Sequence, residues 1–309
     1  MEKRYTCTNA QFNSAWMCWS RWCLQRQRDP VQAPLADVLE FLNELLEKGL
    51  QYRTINVYRS AISSAHALVN DAPIGQHPMM TRVFKGLFNI CPPKPRYSAT
   101  WDVGTVLRYL SSLPSNRELN LRLLTLKAVM LVALVTAGRS SSLVALDLQH
   151  MKKSKMSYEF APVVQNKCST AYRPVPSVVL ERFPSNPTLC VYSAVKEYIH
   201  RTRPLRQQSK QKLTRLFLSF GKPHHAVVSS TIARWLKTVM AAAGIDISQF
   251  KAHSTRSAST STAARLGVST AQILLTADWS SASTFCKFYR REVHSAQVFG
   301  KAVLSSASL

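Results

Sequence analysis

Three prolines in close succession break the helical patterning of this chain. They lie in the segment Cys91-Pro92-Pro93-Lys94-Pro95-Arg96. A proline cannot continue a helix, and it keeps the residue before it extended. A simple helix terminator is the alternative, but that would not need three prolines. We therefore predict a stiff interdomain linker at residues 92–100, which separates an N-terminal domain (residues 1–91) from a C-terminal domain (residues 101–309).

Four stretches of the N-terminal domain have apolar residues at helical spacing. The first covers about residues 9–25, and the second follows Pro34 and ends at Gly49. A third begins after Thr54, a residue type that favours the N-cap position, and a fourth begins near Met79. We predict that these four short amphipathic helices pack as an all-α bundle.

The C-terminal domain combines helical patterns with one β-rich region. An apolar run from about Leu119 to Thr136 predicts a buried helix that ends at a turn before Arg139. The segments 158–164 and 173–179 are rich in β-branched and aromatic residues, which predicts a small antiparallel sheet with residues 165–171 at a hairpin tip. The rest is predicted to be mostly helical. The fold class is therefore mainly α with a small antiparallel β-sheet.

The charge of the chain is far from balanced. It has 40 Lys and Arg against 16 Asp and Glu, which gives a net charge of +24. Such a surplus attracts polyanions, and nucleic acid is the partner that it favours. The composition is otherwise that of a globular protein, with 46% hydrophobic residues, and the basic residues are spread along it. We therefore predict a surface that wraps a DNA duplex rather than a flexible basic arm.

Several classes of protein are disfavoured by the sequence. No apolar run approaches the roughly 18–20 residues that span a bilayer, and the first residues lack the apolar core of a secretory signal. The seven cysteines include no C-x-x-C pair, which argues against a disulfide framework and a zinc site. We expect a protein of the cytosol or nucleus with no cofactor, no membrane partner and no small-molecule substrate.

Four residues near the C-terminus and one upstream offer the chemistry that a phosphodiester needs. His253 and Arg256 are spaced i and i+3, so on a helix their side chains leave the same face. Trp279 and Tyr289 follow, and Arg139 lies upstream, after the long apolar run. Each of these residues alone is more often a packing or surface residue. Together they offer guanidinium, imidazole, indole and phenol groups, which predicts metal-free chemistry on a phosphate.

The order Arg139, H-x-x-R, Trp279, Tyr289 resembles the tyrosine recombinases of the phage-integrase type. The segments 52–63, 75–78 and 92–97 make the chain most similar to the recombinases of eukaryotic DIRS-type and Ngaro-type retrotransposons. This resemblance extends from about Gln11 to Tyr289. An H-x-x-R motif alone is common, but the ordered set at these separations is specific. The resemblance implies a SAM-like helical core-binding domain followed by an α+β tyrosine-recombinase catalytic domain.

The resemblance also implies a role for each residue. Tyr289 would attack the phosphorus and form a 3′-phosphotyrosyl bond, while the two arginines would hold the non-bridging oxygens. His253 would donate to the phosphate or accept the tyrosine proton, since an imidazole titrates near pH 6.5. The predicted catalytic residues are Arg139, Lys167, His253, Arg256, Trp279 and Tyr289.

Three of these assignments depart from the family pattern. Trp279 stands where many members have a second histidine, and an indole can donate a hydrogen bond but cannot transfer protons. Around Arg139, the glycine comes directly before the arginine rather than two residues before it, and Ser142 stands where an acidic residue is usual. The general acid should be a lysine of the hairpin tip. Lys167 is the only lysine there, although related sequences place it nearer Gln165.

Basic residues outside the catalytic set are expected to contact DNA. Arg53 and Arg59 lie on the polar face of the third helix, where a merely solvated basic face is the alternative, and Lys94 and Arg96 lie in the linker. We expect binding to double-stranded DNA, a homotetramer on two sites and a nuclear location. A DNA-binding protein that has lost strand cleavage is the main alternative function. A helical RNA-binding module is less favoured, because no aromatic stacking motif or glycine-rich clamp is present.

Overall fold

The computed structural model describes residues 6–93, 99–163, 174–209 and 212–289. Contacts between Cα atoms divide the chain into two units, Met1–Arg96 and Tyr97–Leu309. Predicted residues Lys94, Arg96 and Lys167 lie outside the described ranges. Among the described residues, no helix combines the length and the hydropathy that a membrane span requires.

The first unit is built from four helices. Their apolar faces enclose a core that includes Trp19, Phe41, Ile55 and Phe84. The tryptophan and Phe41 rings pack at 5.2 Å between centroids, which joins the first two helices at the centre of the bundle. The helices are α1 (Thr6–Gln25), α2 (Leu35–Glu47), α3 (Tyr52–Ala65) and α4 (Pro78–Ile90).

The third helix begins earlier than the sequence predicts. Its N-cap is Gln51, and the amide of Thr54 donates to the Gln51 carbonyl at 2.8 Å, so the prediction of Thr54 as N-cap was wrong. The ring of Tyr52 contacts the rings of Phe84 and Phe88 on α4, with centroids 5.9 Å and 5.5 Å away. Packing between two helices therefore brings Tyr52 into the first turn, and a local capping signal does not decide where α3 starts.

The second unit packs its helices around one long apolar helix. The helices are α5 (Val103–Ser112), α6 (Leu121–Thr136), α7 (Ser140–Ala145), α8 (Val191–Gln207), α9 (Ser229–Ala242), α10 (Ser254–Arg265), α11 (Thr270–Thr276) and α12 (Ala282–Phe288). The side chain of Asn120 caps α6 by accepting from the Leu123 amide at 2.9 Å. Because every residue from Leu124 to Leu134 is buried, α6 forms the centre of this unit.

A three-stranded antiparallel sheet lies beside these helices. Its strands are β1 (Met151–Lys153), β2 (Ser157–Phe160) and β3 (Val178–Glu181), in the order β1-β2-β3. Tyr158 pairs with Leu180 in the register of β2 and β3, and both side chains are buried. The sequence did not predict β1, but the predicted fold class, mainly α with a small antiparallel sheet, is confirmed.

Candidate active site

The first turn of α10 holds the H-x-x-R pair. His253 is the N-cap residue and is exposed, whereas Arg256, three residues later, is only 3% exposed. The hydroxyl of Ser254 accepts a hydrogen bond from the indole of Trp101 at 2.9 Å, which fastens the start of α10 next to the start of α5. The two side chains of the pair therefore leave a well-anchored helix end, one toward the surface and one into the core.

His253 contacts the predicted nucleophile directly. Its Nε2 lies 2.9 Å from the phenolic oxygen of Tyr289, and the two rings meet edge-on with centroids 5.7 Å apart. In the tautomer whose Nε2 carries no proton, the phenol donates to the imidazole, and in the other tautomer the direction is reversed. In the first tautomer, the imidazole is placed to take the phenolic proton.

Arg256 joins the ends of two helices. One terminal nitrogen donates to the carbonyl of Ala137 at 2.7 Å, and the other donates to the carbonyl of Ala277. A guanidinium carries five N–H hydrogens, and these two carbonyls account for two of them. Since Ala137 lies two residues before Arg139, Arg256 holds the turn that carries the other predicted arginine.

Trp279 fills the space between Arg256 and Tyr289. The guanidinium carbon of Arg256 lies 4.3 Å from the centroid of the indole, and the Tyr289 ring lies 4.4 Å from it. The indole is 4% exposed and also stacks on Phe285, with centroids 5.6 Å apart. A cation above an indole face is attracted by the ring quadrupole. The structure thus gives Trp279 a packing position between two predicted catalytic groups; the indole-to-phosphate hydrogen bond stays a prediction.

Two serines that sequence reasoning missed hold the backbone of Tyr289. The hydroxyls of Ser257 and Ser261 donate to the Tyr289 carbonyl at 3.1 Å and 2.6 Å. The two serines are spaced i and i+4 on α10, on the side of the helix that faces the nucleophile. The sequence of α10 shows only an unusual density of Ser and Thr, and the structure shows that many of these residues are buried.

Arg139 occupies the N-cap position of α7 and is half-buried. The residue two before it, Ala137, has a φ of +45°, a left-handed conformation that glycine adopts more easily. Gly138 is required for a different reason: a Cβ there would lie 2.5 Å from a methyl of Leu143. The shifted glycine of this turn therefore serves a close approach, while an alanine takes the left-handed position.

The remaining predicted residues belong to the first unit or lie outside the described ranges. Arg53 on α3 is exposed, and the guanidinium carbon of Arg59 lies 4.4 Å from the Phe84 ring centroid, which gives Arg59 a packing contact as well as a charge. The residues outside the described ranges are Lys167 and the linker residues Lys94 and Arg96. Across the described residues, no group of three or more His, Cys, Asp or Glu side chains is arranged to hold a metal ion.

No protein-family model matches the sequence, and no curated protein matches it. Solved structures do match. The Tn1549 transposon integrase in complex with transposon right-end DNA has a TM-score of 0.56 and 15% identity, over 90% of this chain and 86% of that chain. The XerH site-specific recombinase in a post-cleavage complex with its difH substrate has a TM-score of 0.56 and 13% identity, over 89% and 72%. A lambda integrase dimer bound to a COC′ core site has a TM-score of 0.56 and 14% identity, over 96% and 93%.

These similarities show the fold. The mostly helical chain, with its three-stranded antiparallel sheet, matches the fold of the tyrosine recombinases, as the sequence resemblance implied. The group formed by His253, Arg256, Trp279 and Tyr289 is thus located within a fold that known recombinases and integrases share.

Proposed function

We propose that this protein breaks and rejoins DNA strands at specific sites, through a 3′-phosphotyrosyl intermediate, in the recombination or integration of DNA. The observation that carries the proposal is the 2.9 Å contact between the phenolic oxygen of Tyr289 and Nε2 of His253, beside a buried arginine. The fold shared with solved integrases and recombinases supports it.

In the proposed reaction, the phenolic oxygen of Tyr289 attacks a backbone phosphorus. Its proton passes to Nε2 of His253, the new O–P bond forms, and the bond from phosphorus to the 5′-oxygen breaks. A general acid protonates the departing 5′-oxygen, and Lys167 is the predicted donor. The 3′-phosphotyrosyl bond conserves the energy of the broken phosphodiester bond. A 5′-hydroxyl can therefore attack the phosphorus, release Tyr289 and rejoin the strand.

The two arginines are proposed to neutralise the negative charge on the non-bridging phosphate oxygens in the transition state. A planar, permanently charged guanidinium suits the non-bridging oxygens of a pentacoordinate phosphorus. Arg256 contacts the Arg139 turn through the Ala137 carbonyl, which supports joint placement of both groups. Trp279 would keep Arg256 and Tyr289 at a fixed separation by packing against both.

The biological setting is also a proposal. Tn1549 integrase was solved with transposon DNA, and the sequence resembles recombinases of DIRS-type and Ngaro-type retrotransposons. We propose that the protein serves a eukaryotic mobile element, acts in the nucleus and assembles as a homotetramer on two duplex sites. Its net charge of +24 supports duplex DNA as the partner.

A nicked suicide substrate tests the proposed chemistry. The protein is incubated with a pool of nicked duplexes of random sequence, and adducts that survive denaturant are collected. We expect an adduct with the wild type and with Tyr109→Phe, a control tyrosine on α5, and none with Tyr289→Phe. An adduct that persists in Tyr289→Phe would remove Tyr289 as the nucleophile.

A DNA-binding protein without cleavage activity is the second candidate function. Two observations favour it: Ser142 stands where the family has an acid, and Arg256 already donates to two backbone carbonyls. If this candidate function is correct, the wild-type protein binds duplex DNA in the suicide-substrate experiment but forms no adduct with any nicked sequence. The two functions therefore give opposite outcomes in one measurement.

A further inference from the structure

A basic cavity in the second unit is lined by none of the predicted catalytic residues that the structure describes. Its volume is about 440 Å³, within the range of about 300–1,000 Å³ that is typical of small-ligand sites. It is formed by the loop before α6, one face of α6, the turn between β1 and β2, the residues after β3 and the first half of α8. Its charged lining residues are Arg117, Lys127, Lys155, Arg182, Lys196 and Glu197.

Lys127 is the unusual member of this lining. It lies in the middle of α6, is 1% exposed, and its ammonium has no hydrogen-bond partner among the described residues. Burial lowers the pKa of Lys127, because desolvation disfavours the charged form. A buried cation without a partner destabilises a fold, so stability alone does not explain a lysine at this position. A ligand of opposite charge would supply the missing partner.

Other features of the cavity also favour an anion. The Oδ1 atom of Asn116 is buried without a partner, and a rotation of this carboxamide would present its NH₂ group instead. Tyr192 and Ser193, in the first turn of the 17-residue helix α8, line the cavity as well. The N-cap residue of α8 is Cys190, whose sulfur accepts from the Ser193 hydroxyl and from the Phe183 amide, each at 3.2 Å. The start of a helix carries partial positive charge, which attracts anions.

We propose that this cavity binds a compact anion that carries phosphate groups, such as pyrophosphate or the phosphate chain of a nucleotide, with the Lys127 ammonium as its buried partner. Of the charged side chains that line the cavity in the described part of the chain, only Glu197 is acidic. Arg182 and Lys155 stand at the exposed rim, where they meet solvent. A compact anion enters such a recess more easily than a continuous duplex, whose phosphates follow a broad convex surface.

The proposal is tested with pyrophosphate and the full chain, at constant ionic strength. Calorimetric titration should show saturable binding to the wild type, and pyrophosphate should raise its melting temperature, because a ligand that binds only the folded state stabilises it. Lys127→Met removes the buried charge at similar length, and Arg182→Gln removes an exposed one. We expect each variant to weaken pyrophosphate binding at least about tenfold.

Lys152→Met is the matched control, since Lys152 is an exposed lysine of β1 that does not line the cavity. It should bind pyrophosphate as the wild type does. Equal binding by Lys127→Met, Arg182→Gln and Lys152→Met would overturn the proposal in favour of general attraction to a basic surface. Arg182→Gln keeps the test valid even where Lys127→Met fails to fold, because Arg182 is exposed.

Duplex DNA of random sequence separates the two sources of phosphate. The proposal predicts that Lys127→Met and Lys152→Met bind this DNA with equal affinity. A loss of DNA affinity confined to Lys127→Met would make the cavity part of the DNA-binding surface and would overturn a site for small anions. Neither result depends on whether Tyr289 cleaves DNA.

Discussion

The backbone of Tyr289 is held as firmly as its side chain. Two serine hydroxyls meet at its carbonyl oxygen, while His253 and Trp279 contact its ring. An attacking oxygen that is misplaced by about 1 Å can lose about two orders of magnitude in rate. The contacts to the carbonyl fix the backbone at Tyr289, and the backbone position limits where the phenolic oxygen can lie. We therefore assign Ser257 and Ser261 a positioning role in the proposed reaction.

Replacing both serines tests this role. Each hydroxyl contributes about 0.5–1.5 kcal/mol, so Ser257→Ala with Ser261→Ala should slow adduct formation on a nicked duplex by roughly tenfold or more while DNA affinity stays unchanged. Ser259→Ala is the matched control, because its hydroxyl donates to the Leu134 carbonyl on α6 instead. The control should lower the melting temperature without slowing the reaction. Equal rates in the double variant and the control would show that the carbonyl contacts do not position Tyr289.

At the scale of elements, the turn between α6 and α7 connects the core to the site. Arg139 follows this turn, and the Ala137 carbonyl within it accepts from Arg256. Gly138 allows the turn to pass close to Leu143 of α7 and to Thr136 of α6, where an added Cβ would lie 2.5 Å and 2.8 Å from their side chains. The position of Arg139 therefore depends on a residue with no side chain of its own.

We expect Gly138→Ala to destabilise the second unit by about 1–3 kcal/mol, the usual cost of forcing extra volume into a packed site. Gly86→Ala on α4 is the control, because a Cβ there meets nothing within 4 Å. That change should stabilise the first unit by about 0.5–1 kcal/mol, since alanine favours a helix interior over glycine. Thermal unfolding measures both. A neutral Gly138→Ala would mean that Leu143 moves aside at little cost.

Local sequence patterns were sufficient to predict some elements of this fold and insufficient for others. The long apolar run placed α6 almost to the residue, because a buried helix needs apolar residues on every side. The strand β1 contains Lys152 and Lys153 and has no strand-like alternation, so only pairing with β2 reveals it. The start of α3 at Tyr52 depends on rings of another helix. Local sequence patterns therefore could not predict the features that depend on contacts between residues far apart in the sequence.

The candidate site shows the same division. The order of His253, Arg256 and Tyr289 along the sequence drew attention to them, and the structure places them together; their catalytic roles stay predictions. The positions of Ser257 and Ser261 depend on a contact with a residue about 30 positions later. Single serines carry no signal for such a contact. Burial of Arg256 against Trp279 was likewise set by packing and not by spacing.

At the scale of the whole molecule, the net charge is the property that most affects the affinity for DNA. A protein that neutralises several phosphates releases their counterions. The logarithm of its binding constant therefore falls linearly with the logarithm of the salt concentration, with a slope of about 0.9 for each phosphate contact. Both units carry a net positive charge, and the second unit carries most of the total of +24. Removing the Tyr289 hydroxyl leaves this charge intact. Binding and cleavage should therefore respond to different changes.

With about 6–10 phosphate contacts, affinity for duplex DNA should fall about 10³–10⁵-fold between 50 and 200 mM salt, and Tyr289→Phe should follow the same line. Arg53→Gln should reduce the slope by about one contact, because Arg53 is exposed on the face of α3 that is predicted to meet the backbone. Lys48→Gln changes the net charge equally, but Lys48 contacts Glu44 at 3.4 Å and is not a predicted DNA contact. Binding titrations at several salt concentrations measure the slopes of the wild type and of the three variants. If Arg53→Gln and Lys48→Gln reduce the slope equally, Arg53 does not make a defined contact with DNA, and the attraction to DNA is a property of the whole basic surface.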